Sequence, residues 1–341
     1  MTSAHPPLRW GLIGASDIAS YALIPALRDT GQDIVAVSSG NREWAQEYAN
    51  ARGISSVTDS YQQLVERDDI DAVYVSSTNE KHHDQVLAAA RAGKHVLSEK
   101  PLATNMSDAV DMVLACDNAG VVFATNHHMP ASAAHQTIKR LVADGAVGRV
   151  LGVRVQFGTH LAERLRTWRL TDASAGAGAV FDLGAHSASL VRNAIGGQAK
   201  SVMAINTKQG DWDTVAEDAS MSVMDWDGNI LVQTHEAFTI PFGPRDFEVL
   251  GTEGALVGIG IVGGMNGDVL LVNKDGSNVV DTGEQVNFYV NTVRHFVAAV
   301  AGDGEPIVDG RGGVATLAVA LAELESAATG QRVTVARPFD S

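Results

Sequence analysis

Two short stretches of the 341-residue chain combine residue types that do carbonyl chemistry. In Ser98-Glu99-Lys100-Pro101 a lysine stands between a carboxylate and a proline. Its ammonium can polarise a carbonyl oxygen or donate a proton to it, and Pro101 can hold the loop in one shape. In Asp182-Leu183-Gly184-Ala185-His186 a carboxylate and an imidazole stand four residues apart, which on a helix puts them on one face. Such a carboxylate orients the imidazole and favours its protonated form, the form that hands a proton to a developing alkoxide. Singly, the first stretch also reads as an exposed loop and the second as a structural helix pair. Together they make Lys100, Asp182 and His186 the candidate catalytic groups.

Carbonyl chemistry of this kind needs an electron source. Gly14-Ala15-Ser16-Asp17-Ile18-Ala19 follows an apolar strand candidate and opens a helix candidate, the setting in which backbone N–H groups and a helix N-terminus hold a pyrophosphate. Against the G-x-G-x-x-G fingerprint only Gly14 is a glycine, with Ser16 and Ala19 at the second and third places, so the letters alone also fit an ordinary turn. The second strand candidate ends in Ser38-Ser39-Gly40-Asn41-Arg42, with no acid to accept from a ribose 2′-hydroxyl. Ser39 and Arg42 suit a 2′-phosphate instead, which favours NADP(H). Ser76-Ser77-Thr78-Asn79 ends the third strand candidate with small polar groups fit to line a dinucleotide.

The elements that must carry these loops follow from periodicity. Strand candidates Leu8 to Ile13, Ile34 to Ser38, Ala72 to Ser76, His95 to Leu97 and Val121 to Thr125 alternate with helix candidates near Ile18 to Arg28, Arg42 to Arg52, Tyr61 to Arg67, Lys81 to Ala92 and Ser107 to Ala119. Gly93 and Gly120 stand where two of these helices close. The order predicts an α/β chain whose N-terminal domain, residues 1–128, is a Rossmann domain with a doubly wound parallel sheet. Beyond it, one helix (Ala131 to Ala143) precedes alternating segments such as Leu151 to Phe157, Ser220 to Trp226 and Asn229 to Thr239, with Asp227-Gly228-Asn229 as a hairpin turn. Helical segments Phe288 to Val300 and Val314 to Ala328 follow. Residues 129–341 are therefore predicted to form a C-terminal α+β domain with a large, mainly antiparallel sheet, whose last helix can return to either half.

Composition narrows the partners. A net charge of −15 argues against nucleic acid and anionic membrane, and leaves a small molecule. Cys116 is the only cysteine, which excludes an internal disulfide and fits the cytoplasm. The N-terminus lacks a signal-peptide pattern, and no apolar run reaches membrane length. His82-His83 and His127-His128 are adjacent pairs, which point to opposite faces of a strand or lie about 100° apart on a helix, so no metal site is expected from them. His128, just beyond the fifth strand candidate, can instead meet a substrate.

The assembled residues resemble the Gfo/Idh/MocA family of sugar and polyol oxidoreductases over essentially the whole chain. Its E-K-P motif stands at Glu99-Lys100-Pro101 and its D-x-x-x-H motif at Asp182 and His186. RWGLIGAS at Arg9 to Ser16, VYVSSTNE at Val73 to Glu80, TNHH at Thr125 to His128 and WRL at Trp168 to Leu170 are similar to a keto-sugar reductase subgroup that shares the Ser16 and Ala19 departures. Thr104-Asn105 after EKPLA differs from that subgroup's pattern. The resemblance implies that Lys100, Asp182 and His186 meet the sugar beside the nicotinamide. It implies cofactor contacts from Gly14, Ala15, Ser16, Asp17, Ile18, Ser39, Gly40, Arg42, Ser76, Ser77, Thr78, Asn79, His82, Glu99, Lys100, Asn126 and Tyr289, with Trp168 and Arg169 added from the second domain. The activity implied is NADPH-dependent reduction of a keto-sugar, in a monomer or homodimer. An NAD(P)-dependent pyranose or inositol dehydrogenase, an NAD-dependent glycoside hydrolase and a non-catalytic sugar sensor are the alternatives. A sensor has no need to keep Lys100, Asp182 and His186 together.

Overall fold

The computed structural model describes residues 5–264 and 267–340; the first four residues of the N-terminal stretch lie outside the described residues. By compactness the chain divides into two units, one of residues up to 128 together with 289–314, the other of 129–288 together with the residues from 315 onward.

In the first unit the strands are β1 (Arg9–Ile13), β2 (Asp33–Ser38), β3 (Ser56–Thr58), β4 (Ala72–Val75), β5 (His95–Ser98) and β6 (Phe123–Thr125). The helices between them are α1 (Ile24–Asp29), α2 (Arg42–Arg52), α3 (Tyr61–Val65), α4 (His82–Arg91) and α5 (Met106–Ala119). The strands form one sheet in the order β3-β2-β1-β4-β5-β6, every pairing parallel. This is the doubly wound order, with its reversal between β1 and β4. Asn41 and Asn105 cap α2 and α5 by accepting from Trp44 N and Asp108 N, and Gly93 and Gly120 lie at φ 70° and 67°, where glycine meets no Cβ penalty. Two features differ from expectation. The three-residue β3 has no apolar run of its own and exists because β2 offers a free edge. The first helix begins as a π turn, Ala19–Leu23, because Pro25 brings no N–H to the helical ladder.

The second unit holds α6 (Ala133–Ala143), β7 (Val150–Gly158), α7 (Trp168–Thr171), α8 (Ala185–Ile195), β8 (Ala199–Thr207), β9 (Ala219–Trp226), β10 (Ile230–Ala237), β11 (Phe247–Gly251), β12 (Gly254–Ile259), β13 (Asp268–Asn273) and β14 (Gly276–Val280). Gly228 and Asn229, at φ 74° and 57°, make the turn between β9 and β10.

Two helices and a short strand complete the chain: α9 (Phe288–Val300), α10 (Gly310–Thr329) and β15 (Val333–Thr334). α9 packs on the first sheet, its Phe296 ring 5.1 Å from that of fully buried Trp10. α10 starts four residues before its predicted first residue, because Gly310 and Gly313 are spacers for close packing rather than loop glycines. A Cβ at either would strike Phe123 or Thr125 of β6. In the second unit the strands join as β14-β13-β12-β11-β7-β10-β9-β8-β15, antiparallel throughout except for the β7–β10 pair. Among the described residues no helix is long and apolar enough to cross a membrane.

Candidate active site

The loops expected to meet a dinucleotide lie at the carboxyl ends of β1, β2 and β4, around the reversal of strand order. Gly14 sits at φ 109°, and a Cβ there would come within 2.9 Å of the Ser76 backbone. A glycine is therefore required where the first turn closes on the loop after β4. Ser16, at the second glycine position, donates to Ser76 Oγ at 2.8 Å and accepts from Ala19 N at 3.2 Å, so its hydroxyl pins the helix start. Trp44 Nε1 donates to the Ala15 carbonyl and Tyr48 Oη to the Ser16 carbonyl, both at 3.0 Å. These two α2 residues, unmarked by any motif, hold the turn from behind and leave Asp17 and Ile18 at the helix entry. The cradle fits a pyrophosphate. Ser39 and Gly40 follow β2, and Arg42, first residue of α2, forms an exposed ion pair with Asp59.

The loop after β5 is anchored in depth. Glu99 is 8% exposed and accepts from Tyr74 Oη and from Asn126 Nδ2, each at 2.5 Å. Burial pushes the Glu99 carboxyl up, and the Tyr74, Asn126 and Lys100 contacts pull against that rise. The Lys100–Pro101 peptide is cis. His82 is fully buried: Nδ1 lies 3.2 Å from the Pro101 and Leu102 carbonyls and Nε2 3.1 Å from the Ser77 carbonyl. It ties the loop after β4 to the lysine loop through backbone, and its ring has no exposed surface for a cofactor. Ser77 is held by Gln85 at 2.7 Å, Thr78 by Glu80 at 2.6 Å, and Asn79 is buried. His128 stacks on Tyr289 of α9 with ring centroids 4.4 Å apart. Burial and the Lys100 charge push His128 down to about 3 and His127 well down, so both imidazoles are neutral near the ammonium.

In the second unit a π turn, Val180–Gly184, carries Asp182 and runs straight into α8, whose second residue is His186. The wider π register replaces the regular helical spacing expected of this pair. Asp182 Oδ2 lies 3.4 Å from Arg169 Nε, and the Arg169 guanidinium stands 4.5 Å over the Trp168 ring. His186 is 4% exposed, its ring centroid 6.3 Å from that of Phe157. Glu217, also unmarked by any motif, accepts from Val180 N at 3.0 Å and so caps the π turn. Among the described residues no three His, Cys, Asp or Glu side chains gather as metal ligands.

A sequence profile described as "Oxidoreductase family, NAD-binding Rossmann fold" matches residues 8–127, and one described as "GFO/IDH/MocA C-terminal domain" matches residues 135–257. The chain belongs to the Gfo/Idh/MocA oxidoreductase family. This Gfo/Idh/MocA oxidoreductase is 40% identical over 324 residues to 1,5-anhydro-D-fructose reductase of Ensifer adhaerens, covering 95% of this chain and 97% of that one. It is 29% identical over 329 residues to D-xylose 1-dehydrogenase (NADP(+)) 2 of Haloferax volcanii, covering 96% and 99%. Its fold is shared with aldose-aldose oxidoreductase from Caulobacter crescentus complexed with glycerol, at a TM-score of 0.88 and 24% identity over 96% of this chain and 100% of that one. It is shared too with levoglucosan dehydrogenase in complex with NADH and levoglucosan, at a TM-score of 0.87 and 21% identity over 97% and 100%. The family oxidoreductase thus has a Rossmann domain of the NAD(P)-binding kind and a mainly antiparallel second sheet.

Proposed function

We propose that this oxidoreductase reduces a keto-sugar with NADPH, with 1,5-anhydro-D-fructose as substrate and 1,5-anhydro-D-mannitol as product. The observation that carries the reading is the 40% identity across 95% of the chain to a reductase of that sugar. The anchored lysine loop supports it, since Glu99, held from Tyr74 and Asn126, leaves the ammonium of Lys100 beside two neutral imidazoles. NADPH, when bound, supplies the hydride. Gly14, Ala15, Ser16, Asp17 and Ile18 would hold its pyrophosphate, Ser39, Gly40 and Arg42 its 2′-phosphate, and Ser76 to Asn79 and Tyr289 its nicotinamide half, with Asn126 acting from beneath through Glu99.

Lys100 stabilises the negative charge that grows on the carbonyl oxygen. His186 delivers the proton to that oxygen, and Asp182, charged beside Arg169, orients the imidazole or a sugar hydroxyl. Neutral His128 hydrogen-bonds a sugar hydroxyl. The absence of an acid at the end of β2 supports NADPH over NADH. We also propose a homodimer, supported by the exposed apolar cross-strand pairs Met203–Val223 and Ile205–Met221.

The test is loss of reduced-cofactor absorbance with 1,5-anhydro-D-fructose, first with NADPH and then with NADH. Turnover with NADPH is expected. Lys100→Ala and His186→Ala should each lower kcat by about 10²-fold with NADPH affinity unchanged. Full activity in both variants overturns the site, and a preference for NADH overturns the cofactor assignment.

A further inference from the structure

The buried face of the second unit's sheet carries hydroxyls at the cross-strand pair Ser222 and Thr234, where aliphatic side chains would be ordinary. Ser222 Oγ lies 2.9 Å from Glu323 Oε1 of α10 and 2.9 Å from Thr234 Oγ1. Thr234 Oγ1 lies in turn 3.0 Å from Glu236 Oε2. Glu236 is 0% and Glu323 1% exposed, which puts two carboxyls in the interior, joined by two hydroxyls.

Three hydrogen bonds in series need three protons, and two hydroxyls supply two. With both glutamates ionised, each hydroxyl donates outward to its own carboxylate, and the two hydroxyl oxygens face each other with no hydrogen between them. The missing proton has one source, a carboxyl. Burial supports this, because both carboxyls lie in the interior with hydroxyls alone as side-chain donors, Ser222 to Glu323 and Thr234 and Ser187 to Glu236. Ionised carboxyls are costly in such surroundings.

Glu323 lies against the turn that carries Asp182. A Cβ on Gly184 would stand 3.1 Å from Glu323 Oε2. Glu217 caps Val180 N at the start of that turn, and a Cβ on Gly178, at φ 116°, would collide with the Glu217 carboxyl. We infer that Glu236 and Glu323 share one proton through Ser222 and Thr234, and that this pair, with Glu217, forms the support that positions the Asp182–His186 turn. The titratable groups facing the pair are Glu236 itself on β10, Glu323 on α10 and Glu217 from the loop before β9, while α8 contributes the neutral Ser187. Burial pushes both carboxyls up, and the Glu236 charge adds to the rise at Glu323, so the pair holds a proton that a free glutamate would have lost. The positioning half rests on the active site proposed above, and the shared proton does not.

Infrared spectra of the full chain in D2O at about pH 8 test the proton, since a free glutamate is ionised there. The wild type is expected to show a protonated carboxyl band with a component that Glu323→Gln removes. A wild-type spectrum without a protonated carboxyl, or one unchanged in Glu323→Gln, overturns the shared proton. The positioning half is read from the pH profile of kcat. Glu323→Gln, which has no proton to lose, should extend turnover to higher pH, and Thr234→Val should lower kcat by about tenfold with NADPH affinity unchanged. An alkaline limb identical to wild type together with a fully active Thr234→Val overturns positioning. If Lys100→Ala and His186→Ala stay active while the carboxyl band behaves as expected, the site assignment fails and the shared proton stands.

Discussion

Tyr74 donates its hydroxyl to Glu99 Oε1 at 2.5 Å, one residue before Lys100 and wholly inside the first unit. A strand residue thereby sets the direction of the loop that follows the neighbouring strand. Tyr74→Phe leaves a buried carboxyl with one strong side-chain donor, Asn126, in place of two. The expected cost is about 1 to 3 kcal/mol of folding stability, measured by denaturant unfolding. A variant as stable as wild type would show that Asn126 alone suffices.

Arg42 and Asp59 form an exposed ion pair at the entrance to α2. A 2′-phosphate would compete with Asp59 for the guanidinium. Arg42→Ala should weaken NADPH binding by about 10- to 100-fold, the worth of one charge-assisted contact, with NADH binding unchanged. Asp59→Asn should tighten NADPH alone. Titration of cofactor fluorescence measures both, and equal effects on the two cofactors would remove Arg42 from the 2′-phosphate site.

His128 is pushed down to about 3 by burial and by the Lys100 charge, so the imidazole is neutral at every working pH. An ionisation between about pH 5 and 8 in the kcat profile belongs to another group. The limb should persist in His128→Gln even as KM for the sugar rises. Disappearance of the limb in that variant would assign the ionisation to His128.

Asp71 receives Arg9 Nη2 at 2.7 Å and Arg9 Nε and N at 2.9 Å, and its hydrogen bonds from Arg9 hold its carboxyl below the usual range. A carboxyl lowered in the folded state contributes stability above its unfolded value, 3.8, and loses it as the pH falls through the folded value. Asp71→Asn should therefore flatten the decline in melting temperature below about pH 4, relative to wild type. An unaltered acid limb would mean that other carboxyls control it.

Local pattern was enough to reveal the alternation of strand and helix in residues 8–126, the glycine at position 14 and the lysine loop at a strand end, because each is written in neighbouring residues. Period-two runs, left-handed glycines and strand-end polar loops depend on contacts a few residues away. The motif residues Lys100, Asp182 and His186 were legible for the same reason. Their supports were not. Trp44 and Tyr48 reach the first turn from the next helix, Tyr74 meets Glu99 across paired strands, and Glu323 meets Ser222 after about a hundred intervening residues. Glu236 looks like a solvated strand residue until the sheet covers its face, and Gly310 and Gly313 look like a loop until β6 closes on them. The short β3 and the clustering of residues 289–314 with the first unit have the same origin. Burial and pairing partners come from distant parts of the chain, so only the tertiary structure decided which charges lie inside and which residues hold the site in place.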